Sequence, residues 1–276
     1  MMLQTLLERI NMPRRTADEI LALSLDYDAM EASVRKLYQP ATWTEGLNEL
    51  KAALAPDERG VKMLTLMLHY ADLAWADYAK RGISEQIYVD TMKIFSRFVR
   101  EHKASYGYEG FDREFWTTRH LCLRLFRIGS LEYERWEKDG QPRLSVHIPS
   151  DADMTLPSLR ASFEQMRDFM CRYFPEYADT ERECDSWMLS PCLKELLPPS
   201  SHVLGFQRSF TLTDYDPDAP DYLEWVFKLR PAQQERTRLE DLPENTSLQR
   251  SMKRYVLGGG KVGVVVGTLA DEPFLA

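Results

Sequence analysis

The apolar period of this chain changes near residue 120, and that change constrains the fold more than any other feature. Before it, apolar residues recur at helical spacing. Leu64, Leu68, Ala71, Trp75 and Tyr78 fall on one face, and Ile87, Thr91, Ile94 and Phe98 repeat the pattern. After it, "LRLFRIGSLEYERW" alternates with period two: Leu123, Leu125 and Arg127 lie on one side, Arg124, Phe126 and Ile128 on the other. A buried helix face and a buried strand face need different spacings, so the chain must hold a helical part followed by a part built on a sheet.

In the first part, Gly82 between the two stripes is a natural helix stop. Thr16-x-x-Glu19 fits a capping box opening a helix. The stripes read as the core of antiparallel helices joined by short links. In the second part, Gly129-Ser130 is a two-residue hairpin signal, and Leu131, Tyr133 and Arg135 alternate with Glu132, Glu134 and Trp136. A third strand, Leu144–Ile148, follows the turn-like "KDGQP". A helix of roughly four turns starts near Pro157, lines one face with Phe163, Met166 and Met170, and ends before Pro175.

Beyond it, "CDSWMLSP" reads as a short strand, "CLKELL" as a short helix and "HVLGFQRSFTLTDYD" as one long strand with Gly205 as a bulge. "DYLEWVFKL" looks helical, "LRPAQQERTRLEDLPEN" is a polar surface excursion, and "TSLQRSMKRYVLGGG" is a helix that Gly258 terminates. "KVGVVVGTLA" is a buried strand by its valines. The expectation is an α/β (α+β) chain: an all-helical domain over residues 1–110, then a mixed-sheet domain over 111–276.

A net charge of −8 argues against a chain-wide electrostatic grip on nucleic acid or on an anionic membrane. The start "MMLQTLLERINMPRR" lacks the basic-then-apolar order of a signal peptide, and no apolar run approaches membrane-helix length, so the expected compartment is the cytoplasm. Cys122, Cys171, Cys184 and Cys192 form no C-x-x-C pair, and the histidines make no ligand spacing with one another or with a cysteine, so no metal site is expected.

"RIGSLEYE", "VHIP", "RYFPE", "CDSWMLSP", "LPPSSHVLGFQRSF" and "TSLQR" resemble bacterial acyltransferase-domain proteins that join a helical N-terminal domain to a GNAT-like C-terminal domain. The order of elements after residue 120 is also the one a GNAT fold would give. The resemblance implies an N-acetyltransferase-like enzyme that uses acetyl-CoA or another acyl-CoA. A small-molecule amine would attack the thioester directly, with no covalent enzyme intermediate.

In that fold the strand carrying His147 and the strand carrying Cys184–Met188 run parallel and splay apart, with the thioester between them. His147 would be the general base, and Ser186 or Cys184 would protonate the leaving thiolate. Ile148, Pro149 and Ser150, with Thr155 and Ser158 at the helix start, would meet the coenzyme. Two departures stand out. The loop "PSDADMTLPS" has no glycine where a pyrophosphate loop is expected, and carries Asp151 and Asp153 instead. Where the related pattern reads C-H-S-W, this chain has Cys184-Asp185-Ser186-Trp187.

Plainer readings stand beside these. His147 also reads as a polar residue closing a strand, and Arg160 and Arg167 as a solvated helix face. Glu132 and Glu134 suit either a cationic acceptor or a wet sheet face. "GGGK" follows a helix and precedes a strand, the reverse of a phosphate loop, so it reads as a cap and tight connection. A non-catalytic binding or interaction module that keeps the GNAT shape is the second functional class.

Overall fold

The computed structural model describes residues 2–274. The chain divides into two compact units, residues 1–127 and 128–276. Among the described residues the first unit holds α1 (Leu3–Arg9), α2 (Arg14–Ala22), α3 (Tyr27–Lys36), α4 (Trp43–Leu54), α5 (Val61–His69), α6 (Ala71–Arg81), α7 (Glu85–Tyr106) and α8 (Glu114–Leu121). The stripe from Leu64 to Tyr78 is broken at Tyr70 into α5 and α6, and its Leu64, Leu68, Ala71 and Tyr78 are all buried. Gly82 caps α6 in the left-handed region at φ +72°, as its position between the stripes suggests.

The capping box at Thr16 does not form. Pro13 starts α2 earlier, and Thr16 lies buried inside the helix, its hydroxyl donating to Glu109 at 2.8 Å. Residues 111–127, expected with the second domain, pack with the first unit instead. Lys51 pairs with Glu114 at 2.6 Å, Thr117 bonds the Met67 sulfur at 3.6 Å, and His120 is fully buried.

The sheet comprises β1 (Leu125–Ile128), β2 (Leu131–Lys138), β3 (Gln141–His147), β4 (Arg182–Ser186), β5 (Phe210–Asp216) and β6 (Val264–Leu269), in the order β1-β2-β3-β4-β6-β5. It is mixed: β3 and β4 run parallel, while β2–β3, β4–β6 and β5–β6 are antiparallel. Between β3 and β4 lies α9 (Leu156–Tyr173). The helix buries Leu159, Phe163, Met166, Phe169 and Met170, each contributing about 1.5–3 kcal/mol by removal from water.

Ser162 fastens α9 to the hairpin. Its hydroxyl donates to the Ile128 carbonyl, accepts from Leu131 N–H at 3.2 Å and bonds the Tyr133 hydroxyl at 3.1 Å. Gly129 is required at this approach: its φ is +62°, and a Cβ there would come within 2.9 Å of the Ser162 Cβ.

The remaining elements are α10 (Leu193–Leu196), α11 (His202–Gln207), α12 (Asp221–Trp225), α13 (Pro231–Gln234) and α14 (Ser247–Leu257). They enclose a second core of Cys192, Leu193, Leu204, Val226, Phe227, Leu242, Met252, Val256 and Val262. The segment expected as one long strand is therefore α11 followed by β5, and His202 is the first residue of the helix. Gly205 is not a bulge; it sits in α11, where a Cβ would stand 3.3 Å from Leu156. The irregularity of β5 falls between Leu212 and Asp214. The polar excursion is also not wholly at the surface, since Arg230 and Leu242 within it are buried. A capping box of Thr246 and Gln249 opens α14, and Gly258 ends it.

Candidate active site

The site is set by where two strands stop pairing. β3 and β4 are held by Leu144 opposite Arg182 and Ser145 opposite Glu183, and no further pair forms between them among the described residues. β3 ends at His147 because Pro149 has no N–H to continue a ladder. β4 continues to Ser186, now held by β6 alone through Cys184 opposite Gly267, Asp185 opposite Val266 and Ser186 opposite Val265. The two strands part at their C-terminal ends and leave the β3-facing edge of β4 without a strand partner. Such an edge offers backbone groups to an amide-bearing chain laid along it.

Strand alternation decides which side chains meet at this gap. Tyr133, Leu144, Val146 and Cys184 are buried on the face that α9 covers. The other face carries Glu132, Glu134, Ser145, His147, Glu183 and Asp185. Here Glu132 and Glu134 are buried at 3% and 7% exposure, so this is not the wet sheet face that their charge suggested.

His147 Nε2 lies 3.1 Å from Glu134 Oε2. A carboxylate there accepts from Nε2–H, which fixes the tautomer and leaves the ring lone pair on Nδ1. The imidazole is oriented by a buried acid while its own side chain remains 24% exposed.

Cys184 and Ser186 do not share a face with His147. Cys184 is 1% exposed, and burial, with Asp185 beside it, drives its thiol well above the usual range. Such surroundings do not favour the proton-donor role expected of it. Ser186 alternates to the same face but stands at the strand end, where its Oγ accepts from Met188 N–H at 3.1 Å and starts the short 3-10 turn Trp187–Leu189. Gln207 pins that turn, donating to the Met188 and Ser190 carbonyls at 2.9 Å each.

On the face of His147, the β4 residue beyond the last paired rung is Asp185. Burial raises its carboxyl pKa, helped by Asp221, Asp214 and Asp216, and His147 opposes the rise. The sequence offers Glu134 only with Glu132, as a contact for a cationic acceptor, and Asp185 only as a departure from the related pattern. The signal for both is parity along the strands once the β2–β3 and β3–β4 registers are known.

At the start of α9, Thr155 is the N-cap residue but does not cap with its own side chain. Asp153, two residues earlier, accepts from Thr155 N–H at 3.0 Å. That bond, with the Ser158 and Thr155 hydroxyls, holds its carboxyl below the usual range. Ser158 also accepts from the Ser130 hydroxyl at 3.3 Å. Ile148 is half-buried, Pro149 buried and Ser150 exposed, with a turn closed by Ala152 N–H to the Pro149 carbonyl at 3.0 Å. The loop before α9 therefore places a carboxylate beside the helix start. The strand gap fits the amide-bearing arm of a coenzyme, whereas the helix start fits its phosphates poorly.

A family model described as GNAT-like C-terminal domain matches residues 125–269. The chain belongs to this family. A second model, N-acyltransferase N-terminal domain, matches residues 1–123 of the acyltransferase. Among solved structures, it is similar to an acyltransferase in complex with decanoyl-CoA and teicoplanin, at 28% identity over 96% of this chain and 86% of that one, with a TM-score of 0.79. It is also similar to an acyltransferase in complex with CoA and 10C-teicoplanin, at 27% identity over the same shares, with a TM-score of 0.80. A mutant acyltransferase in complex with octanoyl-CoA matches at 28% identity, again over 96% and 86% of the chains, with a TM-score of 0.79. No curated protein matches the acyltransferase in sequence. No group of acidic, histidine or cysteine side chains fit to hold a metal ion occurs among the described residues, and no helix there is long and apolar enough to cross a membrane.

Asp153 yields a prediction of its own. Asp153→Asn keeps an oxygen for Thr155 N–H but removes a negative charge from the place a pyrophosphate would approach. CoA binding should tighten roughly threefold to tenfold, with the gain shrinking as salt is added. Calorimetric titration at two ionic strengths measures this. Equal affinities for the two proteins would place the phosphates elsewhere.

Proposed function

We propose that this chain transfers an acyl group from acyl-CoA to a small-molecule amine by direct attack of the amine on the thioester. The observation that carries this reading is the His147–Glu134 pair at the mouth of the gap between β3 and β4. When bound, acyl-CoA supplies the activated acyl carbonyl. The residues of this chain do the rest. The β3-facing edge of β4 would hold the amide arm, and Ile148, Pro149 and Ser150, with Thr155 and Ser158, would line the route toward α9. His147 would accept a proton through Nδ1 while buried Glu134 stabilises the imidazolium that results. Ser186, at the end of β4, would protonate the departing thiolate.

The structural neighbours support the coenzyme class, since they hold decanoyl-CoA, octanoyl-CoA or CoA. Two of them hold teicoplanin or a derivative, which supports an acceptor that is a small molecule rather than a protein. The competing reading is a module that kept the shape and lost the coenzyme. It is favoured by one observation, the Asp153 carboxylate beside the start of α9.

Ligand-induced stabilisation separates the two. Decanoyl-CoA, acetyl-CoA and free CoA should each raise the unfolding temperature, and a ligand at a hundred times its Kd should add about 2.7 kcal/mol. No shift with any of the three at millimolar concentration would remove the acyl-CoA reading.

A further inference from the structure

We propose that Asp185 is a second proton acceptor for the incoming amine, working beside His147 in the gap between β3 and β4. This rests on the acyl-transfer reading and deepens it. The argument begins with proton count. A primary amine arrives as an ammonium ion near neutral pH. Moving an acyl group onto it forms one C–N bond, breaks one C–S bond and strips two protons from nitrogen. One of these ends on the thiol sulfur and the other leaves to solvent. One imidazole holds one proton at a time, so a second acceptor beside it would let both leave the nitrogen without waiting for the ring to exchange with solvent.

The structure supplies one. The parallel register places Ser145 opposite Glu183, so two residues further on His147 and Asp185 stand on the same face, where the strands have parted. Cys184 and Ser186 alternate to the other face. Asp185 keeps part of its surface open to solvent, which suits passing a proton to water, whereas His147 is less exposed and oriented by Glu134.

The surroundings of Asp185 favour this role. It is flanked by Glu183 on its own strand and by Val266, which is uncharged, on β6. Asp214 and Asp216 on β5 and Asp221 at the start of α12 act on it with like charge, and His147 on β3 acts in the opposite sense. Desolvation and these carboxylates raise its proton affinity above that of an ordinary aspartate, and their summed field attracts an ammonium ion. A carboxylate of ordinary pKa would be a much weaker acceptor.

The test uses the full chain, decanoyl-CoA and two nucleophiles, ethanolamine and hydroxylamine, with release of CoA thiol as the readout. Ethanolamine is an ammonium ion under mildly alkaline conditions, while hydroxylamine is already neutral and has one proton to shed. Asp185→Asn should slow transfer to ethanolamine roughly 100-fold and transfer to hydroxylamine by less than about tenfold, and Asp185→Glu should restore much of the loss. With ethanolamine, the acid limb of log kcat against pH should approach a slope of two in the wild type and one in Asp185→Asn.

Equal losses with both nucleophiles, or an unchanged rate, would overturn the inference and leave the acyl-CoA reading standing. So would a wild type that binds decanoyl-CoA by calorimetry yet acylates neither nucleophile. A wild type that binds no decanoyl-CoA would remove the functional reading, and this one with it.

Discussion

Replacing His147 with alanine should slow acyl transfer by about 10²–10⁴-fold and leave decanoyl-CoA binding in place. The size follows from what the imidazole does. Its Nε2 is 3.1 Å from the carboxylate of Glu134, which is itself 7% exposed, so the ring is held in one orientation and one tautomer. A positioned base of this kind acts on the bond-forming step and contributes little to holding the coenzyme, so turnover falls while affinity does not. Glu134→Gln should give a smaller loss. The amide oxygen can still accept from Nε2–H, but the charge that stabilises the imidazolium is gone. Turnover is read from CoA release and binding from calorimetry. A His147→Ala protein with unchanged rate and pH profile would reduce His147 to a residue that closes a strand.

Gly263→Ala should destabilise the fold by about 3 kcal/mol or more, read as a lower midpoint in urea. Gly263 precedes β6 at φ +61°, where an L side chain carries a cost of roughly 1–2 kcal/mol before any contact is counted. The contacts are worse than the dihedral. A Cβ there would lie 2.3 Å from the Asp216 carbonyl oxygen and 2.7 Å from Pro217 Cα, both backbone atoms that cannot swing aside. Relief requires moving the end of β5 away from β6, where Asp216 pairs with Val264. Since β6 also carries Val266, the partner of Asp185, the damage should reach the site as well. A midpoint shift worth under about 1 kcal/mol would mean the turn relaxes more easily than these contacts allow.

The parts of the fold legible from sequence were those decided by local chemistry. The change of period near residue 120, the Gly129-Ser130 turn, the helix begun near Pro157 and the helix ended at Gly258 are each written in a few adjacent residues. The segment from His202 to Asp216 was misread because a short apolar run suits either a helix or a strand. Its division is made by tertiary partners: Gln207 bonds two carbonyls beyond β4, and Gly205 lies against Leu156.

The site was half legible for a related reason. His147 could be picked out as the last residue of a strand. Whether Cys184 or Asp185 shares its face depends on the register between β3 and β4, and neither strand alone contains that information. In the same way, alternation put Glu132 and Glu134 on one side of β2 but could not say that this side is buried.

The strand order β1-β2-β3-β4-β6-β5 divides into two triplets, and two residue pairs are the rungs between them. A join that short resists twisting far less than the seven-pair ladder between β2 and β3. A molecule laid along the open edge of β4 would therefore act as additional rungs, and its departure would loosen the seam. In such a sheet the ligand is a structural member, and the stiffness of the site rises and falls with its occupancy.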